Sequence, residues 1–256
     1  MKNLKNIAFA ALLLSLLTVP QASAQELQEF KAADGVNIVS YLIKSGGYGL
    51  PPIKTPKAVV VILTEENSVW MPYQQLTAKF GPLGFYNLIV EMRGQGGSIC
   101  KANGTNVFNP KFSNAEWAAV PGDLKLIVEQ GNGKLWPKNT PVFLVGFSRS
   151  ANAVGVAAAQ CPMVKGAILV SPTLDYSGLK PLEPLKKFGG GIMLASALDD
   201  KVSADAVSKI AAALPAEKVD LQKTALGYLH GLAVLKIDPF LPDRMGQFMQ
   251  KCIGKK

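Results

Sequence analysis

The chain has 256 residues, 48% hydrophobic and 18% charged, an ordinary globular balance that supports one well-buried core or at most two small ones. Its formal charge is +9, but the lysines are scattered and no basic run is interleaved with aromatics, which reads as a soluble basic surface and not as a nucleic-acid footprint. One histidine and three cysteines, without CxxC or Cys/His spacing, leave no recognisable zinc ligand set.

In chain order, Lys2 and Lys5 precede an apolar run from Ile7 to Leu17 that only Ser15 interrupts, and Ala22-Ser23-Ala24 closes it. That is the pattern of a secretory signal peptide; the run is too short for a membrane span, which takes about 20 apolar residues. Residues 1–24 are therefore expected to be cleaved, leaving 25–256 as an exported domain, periplasmic or secreted. Losing two lysines and no acid takes the charge from +9 to +7. An oxidising compartment permits one disulfide among Cys100, Cys161 and Cys252, and spacing does not choose the pair.

Glu26–Lys31 and Val36–Ile43 flank an Asp34-Gly35 turn and predict a hairpin. After a Gly/Pro-rich loop, Lys57–Leu63 is continuously apolar, the mark of a strand covered on both faces. A helix is expected over Met71–Phe80, a strand over Tyr86–Met92, and a polar loop from Gly94 to about Phe112. The next helix is placed at Asp123–Gln130, because Pro121-Gly122 should break anything earlier. Strands at Val142–Val145, Ala167–Val170, Ile192–Ala195 and Val219–Ala225 then alternate with helices at Arg149–Ala159, Leu182–Lys187, Ala204–Ala213 and Leu241–Cys252. Such alternation implies right-handed crossovers and a single α/β domain, its mostly parallel sheet carrying helices on both faces.

Reactive groups in such sheets gather outside the carboxyl ends of the strands. Gly146-Phe147-Ser148-Arg149-Ser150, Leu198-Asp199-Asp200-Lys201 and Leu229-His230-Gly231 each follow a different strand, so serine, acid and histidine reach one edge. A serine hydroxyl needs a base to remove its proton as it attacks. A neutral imidazole can take that proton and return it to the leaving group, and a carboxylate on the far ring nitrogen fixes the tautomer. A sharp strand-to-helix turn would hold the Ser148 hydroxyl clear of its neighbours and present the Arg149 amide to a developing oxyanion. Asp199, Asp200 and Asp175 are the candidate acids, and an aspartate at 199–200 also suits a helix cap.

These pieces resemble the α/β-hydrolase superfamily over nearly all of the chain after the leader. Val145-Gly-Phe-Ser-Arg-Ser-Ala151 resembles the nucleophile elbow, and Leu229-His230-Gly231-Leu232 the histidine loop. Asn87–Ser98 is similar to the family's strand and D-x-R-G-x-G-x-S loop, with Glu91 in place of aspartate. The resemblance implies Ser148 as nucleophile, His230 as base and Asp200 as orienter, with no metal and no organic cofactor. The short stretch between the strands at Ala167 and Ile192 leaves no room for a large cap, as in the small, lidless branch of dienelactone hydrolases and simple esterases. Two departures stand out. Ser150 replaces the usual glycine, and Thr64-Glu65-Glu66-Asn67 occupies the segment that in relatives supplies a second oxyanion amide. Backbone at Glu65 or Glu66 is the expected donor there, and an inward carboxylate would repel the oxyanion unless these side chains meet solvent or Arg93. Trp70, Met71 and Tyr73 are candidates for an acyl pocket or for core packing. The leading expectation is an exported serine hydrolase for carboxylic esters, thioesters or small amides; the alternative is a non-catalytic envelope-binding or scaffold protein on the same fold.

Overall fold

A strand without a polar position must be covered on both sides. Ala58–Leu63 (β3) is such a strand, and all six of its residues are buried. The computed structural model describes residues 25–44, 51–108, 112–224 and 227–254; the leader read at 1–24 lies outside them. Around β3 stand Gln25–Lys31 (β1), Asn37–Ile43 (β2), Phe85–Val90 (β4), Val142–Phe147 (β5), Val164–Val170 (β6), Gly191–Ala197 (β7) and Val219–Thr224 (β8). They form one sheet in the order β1-β2-β4-β3-β5-β6-β7-β8. The expected hairpin pairs β1 with β2 antiparallel, β2 joins β4 antiparallel, and every other pairing is parallel.

Strand side chains alternate between the two faces, and the helices divide accordingly. Val59, Val61 and Leu63 enter one apolar layer with Ala153, Val154 and Ala157 of Arg149–Ala158 and Val207 and Ile210 of Lys201–Ala212. Ala58, Val60 and Ile62 enter the other with Leu76 and Phe80 of Gln74–Phe80 and Met245, Phe248 and Met249 of Leu241–Gly254. In chain order the helices are α1 (Gln74–Phe80), α2 (Asn114–Gly131), α3 (Arg149–Ala158), α4 (Leu182–Lys187), α5 (Lys201–Ala212) and α6 (Leu241–Gly254). Only the six-residue α4 stands between β6 and β7, so no large cap covers this part of the sheet edge. Among the described residues no helix is long and apolar enough to cross a membrane.

The sequence misplaces one helix. α2 begins at Asn114, nine residues before the expected start, and carries Pro121 inside it. A reciprocal capping box holds its start: Ser113 Oγ accepts from the Glu116 amide, and the Glu116 carboxylate accepts from the Ser113 amide. An interior proline costs about 3 kcal/mol. Trp117 and Val120, both buried ahead of it, return about 1.5–3 kcal/mol each by leaving water, so packing outweighs the break. Asp123, the expected helix start, is buried within the helix instead. Its two oxygens accept from Arg93 Nε and Nη2, both at 2.6 Å. Arg93 Nη1 donates to Asp34 at 2.7 Å, tying the β1–β2 turn to α2. Arg93 is thus engaged away from Glu65 and Glu66, contrary to one option left open by the sequence. Cys100 is exposed and Cys161 buried, both as thiols.

Candidate active site

β5 ends in a turn that a larger residue than glycine would block. A Cβ on Gly146 would meet the Ser150 carbonyl oxygen at 2.5 Å. The chain reverses through Ser148, which has φ 55° and ψ −126° and heads α3. Such a backbone is costly for a non-glycine residue and persists where its surroundings over-determine it. Here the Ser148 amide donates to the Val170 carbonyl of β6 at 2.8 Å. Ser150, in the family's glycine position, adds a further constraint: its hydroxyl accepts from the Phe147 amide at 2.8 Å and lies 3.1 Å from the Leu63 carbonyl of β3. The departure from glycine stitches the turn to the neighbouring strand.

β7 and β8 deliver the other two groups. His230 Nε2 lies 2.7 Å from Ser148 Oγ, and its Nδ1 lies 2.6 Å from Asp200 Oδ2. Asp200 also caps α5, its Oδ1 accepting from the Ser203 amide at 3.3 Å, so one carboxylate serves both partners. Burial works to raise its pKa, but the hydrogen bonds from His230 and Ser203 outweigh burial and hold the carboxyl below the ordinary aspartate value. The two alternative acids are engaged elsewhere. Asp199 accepts from the Gly227 amide at 2.9 Å, and Asp175 accepts from the Gly178 amide at 2.9 Å beside Lys180.

The segment after β3 departs from its expected use. The Glu65 amide, read as an oxyanion donor, instead donates to the Tyr73 hydroxyl at 2.6 Å. The Glu65 carboxylate faces the histidine loop, its Oε2 accepting from the Leu232 amide at 3.1 Å. Glu66 pairs with the Arg149 guanidinium, which lies 4.2 Å over the Tyr176 ring. The backbone of Arg149 opens α3, where helix N-terminal amides favour negative charge.

The pocket candidates separate. Tyr73 is core: fully buried, edge-on to Phe147 and bonded to the β3 loop. Trp70 stacks on Tyr41 with ring centres 4.6 Å apart, and Met71 is exposed. Two side chains that the sequence reading left without a role shape this edge. Gln95 holds the β3 loop at three points: Nε2 donates to Thr64 Oγ1 at 2.8 Å and to the Glu65 carbonyl at 2.7 Å, and Oε1 accepts from the Asn67 amide at 2.8 Å. Glu91, where the family has aspartate, accepts from the Gly97 amide at 2.6 Å and the Trp70 amide at 3.2 Å. Gly94-Gln95-Gly96-Gly97 was the available signal, since such a loop packs closely on whatever it holds.

A serine, an imidazole and a carboxylate in line at the carboxyl edge of a 1-2-4-3-5-6-7-8 sheet define the class: an α/β-hydrolase fold. Residues 54–224 match the family described as serine aminopeptidase, S33 (Hydrolase_4), and the chain belongs to that family of hydrolases. Solved structures agree on the fold. An esterase from Pyrococcus furiosus superposes with a TM-score of 0.68 at 13% identity, covering 90% of this chain and 92% of that one. The esterase domain of a Rhodothermus marinus protein gives 0.66 at 12%, covering 90% and 100%. Est1E from Butyrivibrio proteoclasticus gives 0.62 at 15%, covering 90% and 99%. No curated protein matches the sequence.

Proposed function

We propose that the protein is an exported serine hydrolase that cleaves carboxylic esters through an acyl-enzyme. The observation that carries the proposal is the single imidazole bridging Ser148 and Asp200, at 2.7 and 2.6 Å. Both distances are within hydrogen-bond reach, so proton transfer needs no rearrangement.

Ser148 Oγ attacks the ester carbonyl carbon while its proton passes to His230 Nε2. Asp200 keeps Nδ1 protonated and steadies the imidazolium. The carbonyl oxygen becomes an oxyanion, stabilised by the Arg149 amide at the head of α3 and by the backbone at Glu66; Glu65 is left out, because its amide is bonded to Tyr73. The intermediate collapses, the C–O bond breaks, and the departing alkoxide takes the proton from His230. Water, deprotonated by the same ring, then attacks the acyl carbon and frees Ser148. Thioesters and small amides follow the same course with a different leaving atom. The short β6–β7 connection supports small or exposed acyl groups as substrates.

Export is part of this reading and rests on the leader pattern at residues 1–24; mass spectrometry of the protein from its native host should find Gln25 at the mature N-terminus. A fluorophosphonate probe should label Ser148, and Ser148→Ala should remove both labelling and hydrolysis of short-chain nitrophenyl esters. A protein that folds, ignores the probe and an ester panel, yet binds an envelope partner would be the non-catalytic scaffold instead.

A further inference from the structure

Among the described residues Glu65 is an acid inside the site with no lysine or arginine partner. Arg149 is taken by Glu66, and Arg93 by Asp34 and Asp123. Its backbone is held from two sides, by Tyr73 at the amide and by Gln95 at the carbonyl. The side chain therefore has a defined direction, and that direction is toward the loop after β8. Its Oε2 accepts from the Leu232 amide at 3.1 Å. Gly231, between His230 and Leu232, has φ +60°; a Cβ there would meet Glu65 Oε2 at 2.1 Å and Ser148 Cβ at 3.4 Å. Carboxylate, histidine loop and nucleophile thus form one chain of contacts that leaves no space for a side chain at 231.

We propose that Glu65 is a positioning residue for His230: its carboxylate fixes the histidine loop against the loop after β3, and its negative charge favours the imidazolium formed when Ser148 gives up its proton. This rests on the catalytic reading above. The role accounts for an acid in a segment where a carboxylate near an oxyanion is otherwise a liability: the site accepts some repulsion of the oxyanion in exchange for a better-held ring. The titratable groups around Glu65 are the Tyr73 phenol, the His230 ring with Asp200 behind it, and Glu66 paired with Arg149 one residue along. Burial lifts the Glu65 pKa above the ordinary glutamate value, while the Leu232 hydrogen bond and the His230 charge pull it down.

Two variants separate the charge from the tether. Glu65→Gln keeps an acceptor of the same length for Leu232 and removes the charge; Glu65→Asp keeps the charge and shortens the reach. The readouts are kcat/KM on a neutral nitrophenyl ester and fluorophosphonate labelling of Ser148, both against pH. His230 is the only histidine, so its single imidazole resonance can be titrated directly. For Glu65→Gln the acid limb and the resonance should move to lower pH, and the plateau should fall about three- to thirtyfold. For Glu65→Asp the limb should stay near the wild type while kcat falls and KM holds. A Glu65→Gln limb that coincides with the wild type overturns the proposal. If that variant does not fold, the wild-type His230 resonance must show a second, acidic inflection above the range of Asp200 as Glu65 loses its proton, and its absence is equally fatal. Wild-type protein that never labels would remove the catalytic reading itself, a different and separately visible failure.

Discussion

Tyr73→Phe removes one oxygen atom and tests how the β3 loop is held. The Tyr73 hydroxyl is fully buried and accepts from the Glu65 amide at 2.6 Å. Phenylalanine fits the same space and keeps the edge contact with Phe147, so the loss is confined to the hydrogen bonds of the hydroxyl, with the Glu65 amide and the Ser68 side chain. A buried amide without a partner costs about 1–3 kcal/mol. In a domain of this size each kcal/mol moves the melting temperature by about 2–4 °C, which gives a fall of about 2–12 °C by calorimetry. Gln95 still grips the loop on both sides of Glu65, so kcat/KM on a short-chain ester should fall by less than about tenfold, within the ~1.4 kcal/mol that a factor of ten represents. A Phe variant that melts with the wild type would refute the reasoning, because the Glu65 amide must then find another partner at no cost. A loss of a thousandfold without loss of stability would refute it in the other direction, by giving the phenol a place in the chemistry.

Asp200→Asn should lower kcat by about 10³–10⁴-fold, since the amide no longer fixes the ring tautomer, while the helix cap itself is kept because asparagine caps a helix as well as aspartate. The same substitution should flatten the acid side of the stability curve. Asp200 has a depressed pKa in the folded state, so its contribution is complete above the ordinary aspartate value and is lost as pH falls through the lowered one. Urea titrations below about pH 4 should show the wild type losing this increment and the Asn variant lacking it throughout. Gly146→Ala places a Cβ 2.5 Å from the Ser150 carbonyl oxygen, and overpacking of that kind costs about 1–3 kcal/mol; a variant as stable and active as the wild type would show that the turn relaxes freely.

The strand pattern was legible because it is local. Ala58–Leu63 and Val142–Phe147 carry no polar position, and a run covered on both faces announces a central parallel strand. The amphipathic stretches between them place the helices, α4 at Leu182–Lys187 to the residue. Pro121 misled because its cost is local while the compensation is not: Trp117 is buried only once Phe112 and Tyr176 close on it. Asp199 and Asp200 could not be told apart in the chain, since either begins the same helix. Their side chains diverge on folding, one to the Gly227 amide and the other to His230. Glu65 was suspected of facing the site, but the backbone role assigned to it failed because Tyr73, eight residues later, turns back and takes the amide.

By itself the sequence determined the alternation of strand and helix and therefore the edge at which Ser148, Asp200 and His230 emerge, for periodicity is a property of neighbours in the chain. Only the tertiary structure decided which oxygen meets which nitrogen. Ser148 and His230 are 82 positions apart, and a contact between such distant residues is set by the packing of β5, β7 and β8 into one sheet, which no local pattern specifies.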